Sequence, residues 1–579
     1  MRRWFMFPSF ALFVAGAAAA QNTGRIMGAV TSETGQVVAG ASVLVVGTGL
    51  GTLTGVDGRY TLTNVPLGLR QVRVTIIGYA DLVKPATVTA EQPATVNFQL
   101  TTQAIQLQEI VTVGYGEQRR TTVTGAVASV RAQQINEIAT ADPVKAIQGR
   151  IPGVEIVSAN NLPGAAMNIR IRGVRSLTAS NEPLFVVDGI PISGGIADFN
   201  PASIRSIEVL KDAAATAIYG SRGANGVLLV TTRNGAPDVK DGVQLRFTAD
   251  AQSGWARPLQ LIDMMDMEQY LAMLQAAARY VGASDAVTAV LSNDALRSAY
   301  TAGRQTDWQN EILKTGQQQD FQIGVGGVSA NTRFNLSAGY FNQKGLAIGQ
   351  DYNRANAVLS LDHTVGRLRL GVTANGSRSV QNQGPGDGLW GYALAQTGFG
   401  APYDTAGLLL PHPDGELLAV NPVRAQQFFL NQITRTRVFA SMFGDLTLAD
   451  GLHWRVNFGP DVTYQEQGIF QGSQTTYPEF NDARAQLNRA DNFAYTLDNL
   501  LQLQRDLGAI HHIDATLLYG IQRSKSTNDN GSANFLPWDY QQWYALGSGP
   551  GPERNVSSRL SEWALQSFMG RASYTLLDR

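Results

Sequence analysis

The sequence predicts a mainly β chain in three successive parts: a small β-sandwich, a compact α+β unit, and a long series of antiparallel strands. Three observations carry this. Short strands between Gly24 and Leu100 are separated by turn residues at the roughly 8–12-residue spacing of a sandwich. Residues 119–235 mix short strands with short helices. From Val243 onward, long runs alternate apolar and polar residues with a period of two.

Composition sets the outer bounds. At 579 residues, several domains are expected. A net charge of −1 gives no footprint for nucleic acid and no acidic tail. The charged fraction is 16%, against about a quarter in soluble proteins, and glycine is abundant at 60 residues. That combination suits many strands and turns with part of the surface facing lipid. With no cysteine there is no disulfide framework, no thiol nucleophile and no lipoprotein anchor. Arg2 and Arg3 precede an apolar run from Trp4 to Val14, and Ala18-Ala19-Ala20 offers a cleavage site, so residues 1–20 read as a signal peptide and the chain as exported. No later stretch has 18 consecutive apolar residues, so any later membrane crossing is made by strands.

Taken in order, the sandwich (residues 21–103) has turns at Thr34-Gly35, Asp57-Gly58 and Pro66-Leu67-Gly68. Asp57 reads as a turn former, since one carboxylate makes no calcium site. Within LQEIVTVGYGEQRR, Glu109–Val113 is a short β-prone run released by Gly114 and Gly116. The α+β unit opens with a strand in TGAVASVRAQQI, and Asp142-Pro143 starts a helix. Ile169 and Ile171 then alternate with Arg170 and Arg172 on a strand. Pro183–Ile192 reads as a hairpin about Asp188-Gly189, a dipeptide suited to a type I′ turn. Ile204–Leu210 is a strand, Asp212 caps the helix AAATAIY, Gly220 closes it, and Val227–Thr232 is the next strand. Gly220, Gly223 and Gly226 in GSRGANG mimic a phosphate loop. Phosphate loops run strand, glycines, helix, whereas here the glycines follow a helix and precede a strand, so they read as turn positions.

In the third part, Val243, Leu245, Phe247, Ala249 and Ala251 interleave with Gln244, Arg246, Thr248, Asp250 and Gln252. The pattern recurs in Arg333–Tyr340, Arg367–Asn375, Arg437–Leu448 and His512–Ile521. About ten strands are expected, with long gaps (254–318, 343–353, 378–435, 465–490, 524–562) alternating with short turns near Ser329–Asn331, Thr364–Gly366, Ala449–Gly451 and Asp506–Ile510. Outer-membrane barrels sort their connections in this way. The first long gap contains a helix expected from Asp263. Ten strands are too few to enclose a unit the size of residues 119–235, so they are read as an incomplete barrel, from a protein nearly twice as long. Trp390, Phe428, Phe429, Trp538 and Trp543 fall in the long gaps and read as loop packing.

No catalytic constellation is legible. His363, His412, His453, His511 and His512 are scattered, and adjacent His511 and His512 face opposite sides of a strand. Without cysteine or a Ser-His-Asp pattern, the chain reads as no enzyme, with no metal or cofactor.

Three runs, IRIRGVRS, PLFVVDGIPI and SIEVLKDAAATAIYGSRGANGVLLVTTRNG, resemble the plug domain of TonB-dependent outer-membrane transporters of the SusC/RagA branch. The plug motif positions are Arg170, Arg172, Gly173, Asp188, Gly189, Lys211, Asp212, Tyr219, Gly220, Gly223 and Gly226. The resemblance covers the whole chain as an N-terminal portion of such a protein. It implies a carboxypeptidase-regulatory-like sandwich over 21–103, a TonB box and linker over 104–118, a plug over 119–235 and part of a transmembrane barrel over 243–579. The box would be Glu109, Ile110, Val111, Thr112 and Val113, recruiting TonB and its inner-membrane energising complex. Implied with it are outer-membrane lipid around the barrel, a SusD-like surface lipoprotein as lid, and import of an oligosaccharide or oligopeptide. A siderophore or cobalamin receptor without a lid is the alternative within the same fold. A non-transporting surface adhesin is the alternative from another class, and it predicts neither plug nor box. Arg170, Arg172 and Arg175 are expected to line a hydrated interface between plug and barrel wall.

Overall fold

The computed structural model describes residues 23–76, 79, 81–101, 110–113, 116–119, 127–212, 216–233, 244–416, 419–475, 482–508 and 510–576. The expected leader, Glu109 and the start of the helix expected after Asp212 lie outside these residues. The chain divides into two compact units, Met1–Glu109 and Ile110–Arg579.

In the first unit Thr23–Ser32 pairs antiparallel with Arg59–Pro66 and parallel with Ala94–Thr95 and Phe98–Leu100. A second four-stranded sheet runs Gly51–Leu53, Ser42–Val45, Gly68–Thr75, Leu82–Val88. Alternation along these strands puts Ile26, Val30, Val43, Val45, Val72 and Val74 into one apolar cluster. Each such side chain contributes about 1.5–3 kcal/mol on burial. Within that cluster the Tyr60 hydroxyl donates to the Val96 carbonyl at 2.7 Å, so the one large polar tip is satisfied.

The second unit holds two sheets of opposite character. The smaller has five strands in the order Val127–Arg131, Ile204–Leu210, Val227–Thr232, Leu184–Val187, Ile190–Ile192. Val227–Thr232 runs parallel to Leu184–Val187, and the other pairs are antiparallel. Both faces of this sheet are covered. Phe185, Val187, Ile207, Val209, Leu228 and Val230 join a cluster with Ile135, Val144 and Ile147, while Val186, Leu210, Tyr219, Val227 and Leu229 form a second cluster. Coverage on both sides explains why the strand VLLV is continuously apolar. Val154–Ser158 and Met167–Ile171 form a separate antiparallel ribbon.

The larger sheet has ten strands, each antiparallel to the one before it in sequence: Gln244–Ala256, Gly316–Val328, Thr332–Lys344, Asp351–Val365, Leu368–Asn382, Phe429–Ala449, Leu452–Gln471, Ala483–Leu507, His511–Leu536 and Arg554–Leu576. Connections alternate between long and short, as expected. The later strands run further than the alternation suggested, to 25 and 26 residues for Ala483–Leu507 and His511–Leu536. Phe429, expected in a loop, begins a strand.

Register shows this sheet's polarity. Phe334, Leu361, Val372, Met442, Phe458, Leu497 and Ile521 stand opposite one another from strand to strand; Leu361 and Phe458 are solvent-exposed and the others partly so. One residue along, Asn335, Ser360, Thr373 and Ser441 form a polar row, in which Ser360, Thr373 and Ser441 are buried. The covered face is therefore the polar one.

Two long connections fold together. Met267–Tyr280 is a helix capped by Asp266, whose carboxylate accepts the Gln269 amide at 2.7 Å while the Gln269 side chain accepts the Asp266 amide at 3.1 Å. The expected start at Asp263 is thus three residues early, because only Asp266 has a glutamine at the third helical position to close the capping box. Leu271, Leu291, Leu296 and Ala299 pack on Phe399 of the 383–428 connection, and Trp308 and Ile312 pack on Leu389 and Ala393. Trp390 packs against this second cluster, Trp543 is buried in another, and Trp538 is half-exposed.

Candidate functional site

The small sheet lies on the polar face of the large one, and that interface is the most elaborate constellation in the second unit. Its principal residues come from the large sheet. Arg354 is buried, and its Nη1 donates to three backbone carbonyls of the α+β unit: Ala141 at 2.5 Å, Ala197 at 3.0 Å and Phe199 at 3.2 Å. Arg437, also buried, holds Asp461 of the neighbouring strand through two hydrogen bonds of 2.9 and 2.8 Å. Its Nη1 also donates to the Gly195 carbonyl at 2.7 Å and reaches Asp198 at 3.4 Å. Arg435 pairs with the same Asp198 at 3.1 Å. The planar, five-donor guanidinium serves here because several acceptors converge on one point.

Further contacts run along the interface. Gln318 donates to the Ala139 carbonyl at 2.6 Å, Asn200 to Gln322 at 2.6 Å, Gln381 to the Pro163 carbonyl at 2.6 Å, and Ser441 to the Asp188 carbonyl at 3.2 Å. Arg222 donates to Gln522. Phe199 packs against Phe439, ring centroids 5.6 Å apart. Gly459 leaves the seat for Ile190, since a Cβ there would lie 2.3 Å from the isoleucine side chain. Asp142 caps Pro143–Ala146 by accepting the Val144 amide at 2.8 Å and accepts the Met167 amide at 3.1 Å. Burial pushes its carboxyl up to about 6, against the lowering effect of those two amides and of Arg354.

The residues expected from sequence fall elsewhere. Asp188 and Gly189 form the hairpin turn, both with positive φ (47° and 83°), as a type I′ turn requires. The Asp188 carboxylate accepts from the Thr232 amide at 2.8 Å and the Thr232 hydroxyl at 2.6 Å, tying the turn to the neighbouring strand. Arg170 lies 4.0 Å from Glu155, and Arg172 pairs with Asp212. These partners belong to the α+β unit itself and the arginines are about half-exposed, so neither is among the contacts with the ten-stranded sheet. Extended alternation places Arg170 on the face away from Ile169 and Ile171, while Arg172, with φ 57°, lies just past the end of that strand. Arg175 is exposed, and its backbone amide donates to Asn181 at 2.8 Å. Gly173 has φ 88°, and Lys211 donates to the Pro152 carbonyl at 2.5 Å. Tyr219 is buried in the second apolar cluster. Gly220, with φ 59° and ψ −143°, ends the first of two short helical stretches, as expected. It sits at a break inside the 3₁₀ segment Ala217–Gly223, and Gly226 turns the chain into the next strand. Ile110–Val113 is extended and pairs with Gly116–Arg119 in a two-stranded hairpin.

Arg354, Arg437, Asp198, Asp461 and Gly459 escaped the sequence reading. The only available signal was arginine at alternate, plug-facing positions of strands whose other face is apolar. Among the described residues, no group of three or more His, Cys, Asp or Glu is arranged to hold a metal ion. No helix among them is long and apolar enough to cross a membrane.

Against known proteins, residues 119–227 match the TonB-dependent receptor plug domain and residues 26–112 the CarboxypepD_reg-like domain. TonB-dependent receptor P26 of Formosa agariphila is 30% identical over 568 residues, covering 96% of this chain and 54% of that protein. TonB-dependent receptor SusC of Bacteroides thetaiotaomicron is 31% identical over 371 residues, or 62% of this chain and 34% of that one. A chain of the RagAB peptide importer in its open-open state superposes with a TM-score of 0.71 at 23% identity, covering 81% of this chain and 55% of its own, a likeness of fold. The chain spans about half the length of the first of these curated relatives.

Proposed function

Since the chain belongs to the SusC/RagA-type TonB-dependent receptors, we propose that it forms the plug, and the wall strands that seat it, of an outer-membrane nutrient importer. The observation that carries this reading is a folded plug fastened to the polar face of a sheet whose other face is apolar. In this reading the apolar face, with Phe247, Ile323, Leu359 and Leu517 exposed, meets lipid, and the polar face lines a lumen. Strands of 13 to 26 residues exceed the 9–11 or so needed to cross a bilayer, so the later ones extend beyond it on the side of the long connections.

The coupling segment would be Glu109–Val113. An extended run of this kind joins the edge of a partner sheet, with main-chain hydrogen bonds supplying the affinity, after giving up its pairing with Gly116–Arg119. Tension applied there is carried to Val127–Arg131, the edge strand of the plug sheet, which among the described residues pairs only with Ile204–Leu210. Displacing the plug further requires Arg354 and Arg437 to release their carbonyls. On this reading the energised partner is TonB with its inner-membrane complex. A SusD-like lipoprotein closes the side of the long connections, and the cargo is an oligosaccharide or an oligopeptide.

The test is deletion of Glu109–Val113 in the full-length protein within its native outer membrane. Energised uptake is expected to vanish while ligand binding at the cell surface is retained. Unchanged uptake removes the coupling role.

A further inference from the structure

Beneath the plug, near the short-turn ends of the large sheet, lies a cavity of about 170 Å³ between the plug and five strands. Its wall side carries three arginines, Arg333, Arg369 and Arg455, and its plug side includes Asp188 and Tyr219. Register explains the clustering. Arg333 stands opposite Asp362, while Arg369 and Arg455 flank Asp445 on the two neighbouring strands. Arg369 holds Asp362 through Nε at 3.0 Å and Nη2 at 2.5 Å, and Asp445 is also shared with His453 at 3.1 Å. Phe443 lies between two of the arginines, Arg455 at 4.1 Å and Arg369 at 5.4 Å from its ring centre. Gly371 gives the ring its space, because a Cβ at that position would lie 2.1 Å from it. Stacking on an aromatic face fixes a guanidinium's plane while leaving its edge N–H groups directed outward.

The charge balance is positive. Three guanidiniums stand beside two wall carboxylates, Asp362, which Arg369 holds, and Asp445, while the Arg455 Nε donates to Asn457 at 2.8 Å. The plug's Asp188 is engaged by Thr232, and burial pushes its carboxyl up, toward the neutral form. A space of this size holds on the order of five or six water molecules, enough for one charged unit but not for an oligomer.

We propose that this cavity is a transit subsite for a carboxylate-bearing unit of the cargo, gripped by Arg333 and Arg455 as the plug moves aside, with Phe443 holding the plane of the Arg455 guanidinium. The inference rests on the importer reading and narrows its substrate to acidic material. A uronic acid and an acidic peptide residue present the same carboxylate. Guanidinium binds a carboxylate through paired N–H donors, and lysine would lack both the fork and the stacking.

The test is equilibrium binding to the purified full-length protein with three labelled probes: glucuronate, N-acetylglutamate and, as neutral control, glucose. At least one acid is expected to bind about tenfold or more tightly than glucose, as one charge-assisted hydrogen bond supplies, and to weaken with salt. The tighter acid names the source. The double variant R333Q/R455Q is expected to lose that preference, and R333K/R455K to keep part of it. If neither acid outbinds glucose, or the double glutamine variant binds the acid as wild type does, the proposal is overturned. Should the variants fail to fold, the wild-type preference and its salt dependence decide. Binding needs no energised partner, so a transporter that keeps the acid preference but imports without Glu109–Val113 refutes the coupling role and not this site.

Discussion

The plug sheet and the large sheet that carries it follow the same pairing rules and bury opposite chemistry. In the plug, Phe185, Ile207 and Leu228 are buried and the arginines Arg170 and Arg172 point outward. In the large sheet, Leu336, Leu359 and Val438 are exposed while Arg354, Arg437, Asp461 and Ser360 are buried. Where the two meet, the plug contributes mostly backbone carbonyls and the large sheet contributes side chains. Apolar burial holds a fold with little regard to direction, whereas buried ion pairs hold it only while every partner is present. The plug's interior is thus built to persist, and its attachment is built from contacts that fail together.

That contrast predicts the largest effect at Arg437. Arg437→Met strands Asp461 in a buried setting, leaves Asp198 to Arg435 alone, and is expected to cost about 3–5 kcal/mol of plug retention, as for other broken buried pairs. Chemical denaturation followed by protease accessibility of the plug measures it. The double variant Arg437→Met, Asp461→Leu is expected to recover most of the loss, and absence of recovery would show that the carbonyl contacts, not the ion pair, dominate. Within the plug, Ile207→Ala removes an apolar side chain with no exposed surface and is expected to cost about 2–5 kcal/mol, with no charge partner able to rescue it.

How much of this was legible follows the same division. Ile204–Leu210 and Val227–Thr232 were placed at their observed bounds because apolar runs end abruptly at Lys211 and Arg233. The ten strands were countable because one face is apolar and alternates. Their outer halves were not, since runs such as Asn488-Arg489 and Asn528-Asp529-Asn530 are polar on both faces and only backbone pairing reveals them. The interface was invisible for a related reason: a guanidinium that grips the carbonyls of Ala141, Ala197 and Phe199 reads nothing in those residues' side chains. Of the motif's arginines, Arg170 and Arg172 pair within the α+β unit, whereas Arg222 reaches Gln522 of the large sheet.

A third prediction sharpens the boundary between the two regions. Asp142 sits where the plug meets Arg354, and its carboxyl is raised from 3.8 to about 6 by burial. The folded state therefore binds a proton that the unfolded chain has already released between those values. Its contribution is present at acid pH and is lost as pH rises from about 4 to about 6, by about 3 kcal/mol, with no further change above. Asp142→Asn keeps an oxygen acceptor for the Val144 amide but cannot ionise. Denaturation midpoints measured from pH 4 to pH 7 are expected to lose that slope in the variant. An unaltered slope would assign it to other carboxylates.

The smallest effect is expected at the position that the sequence made most prominent. Arg170 lies 4.0 Å from Glu155, with both side chains about half-exposed, and pairs of this kind contribute between 0 and roughly 1 kcal/mol. Arg170→Gln is therefore expected to change plug stability by less than about 1 kcal/mol and to leave retention on the large sheet intact. Placed beside Arg437→Met in the same denaturation experiment, it separates two roles for arginine. One is an exposed charge on a strand whose buried face does the folding, and the other is a buried fork that the folded plug cannot do without. A loss at Arg170 approaching that at Arg437 would mean that the exposed face of the plug bears on another surface, and the division drawn between the two regions would have to move.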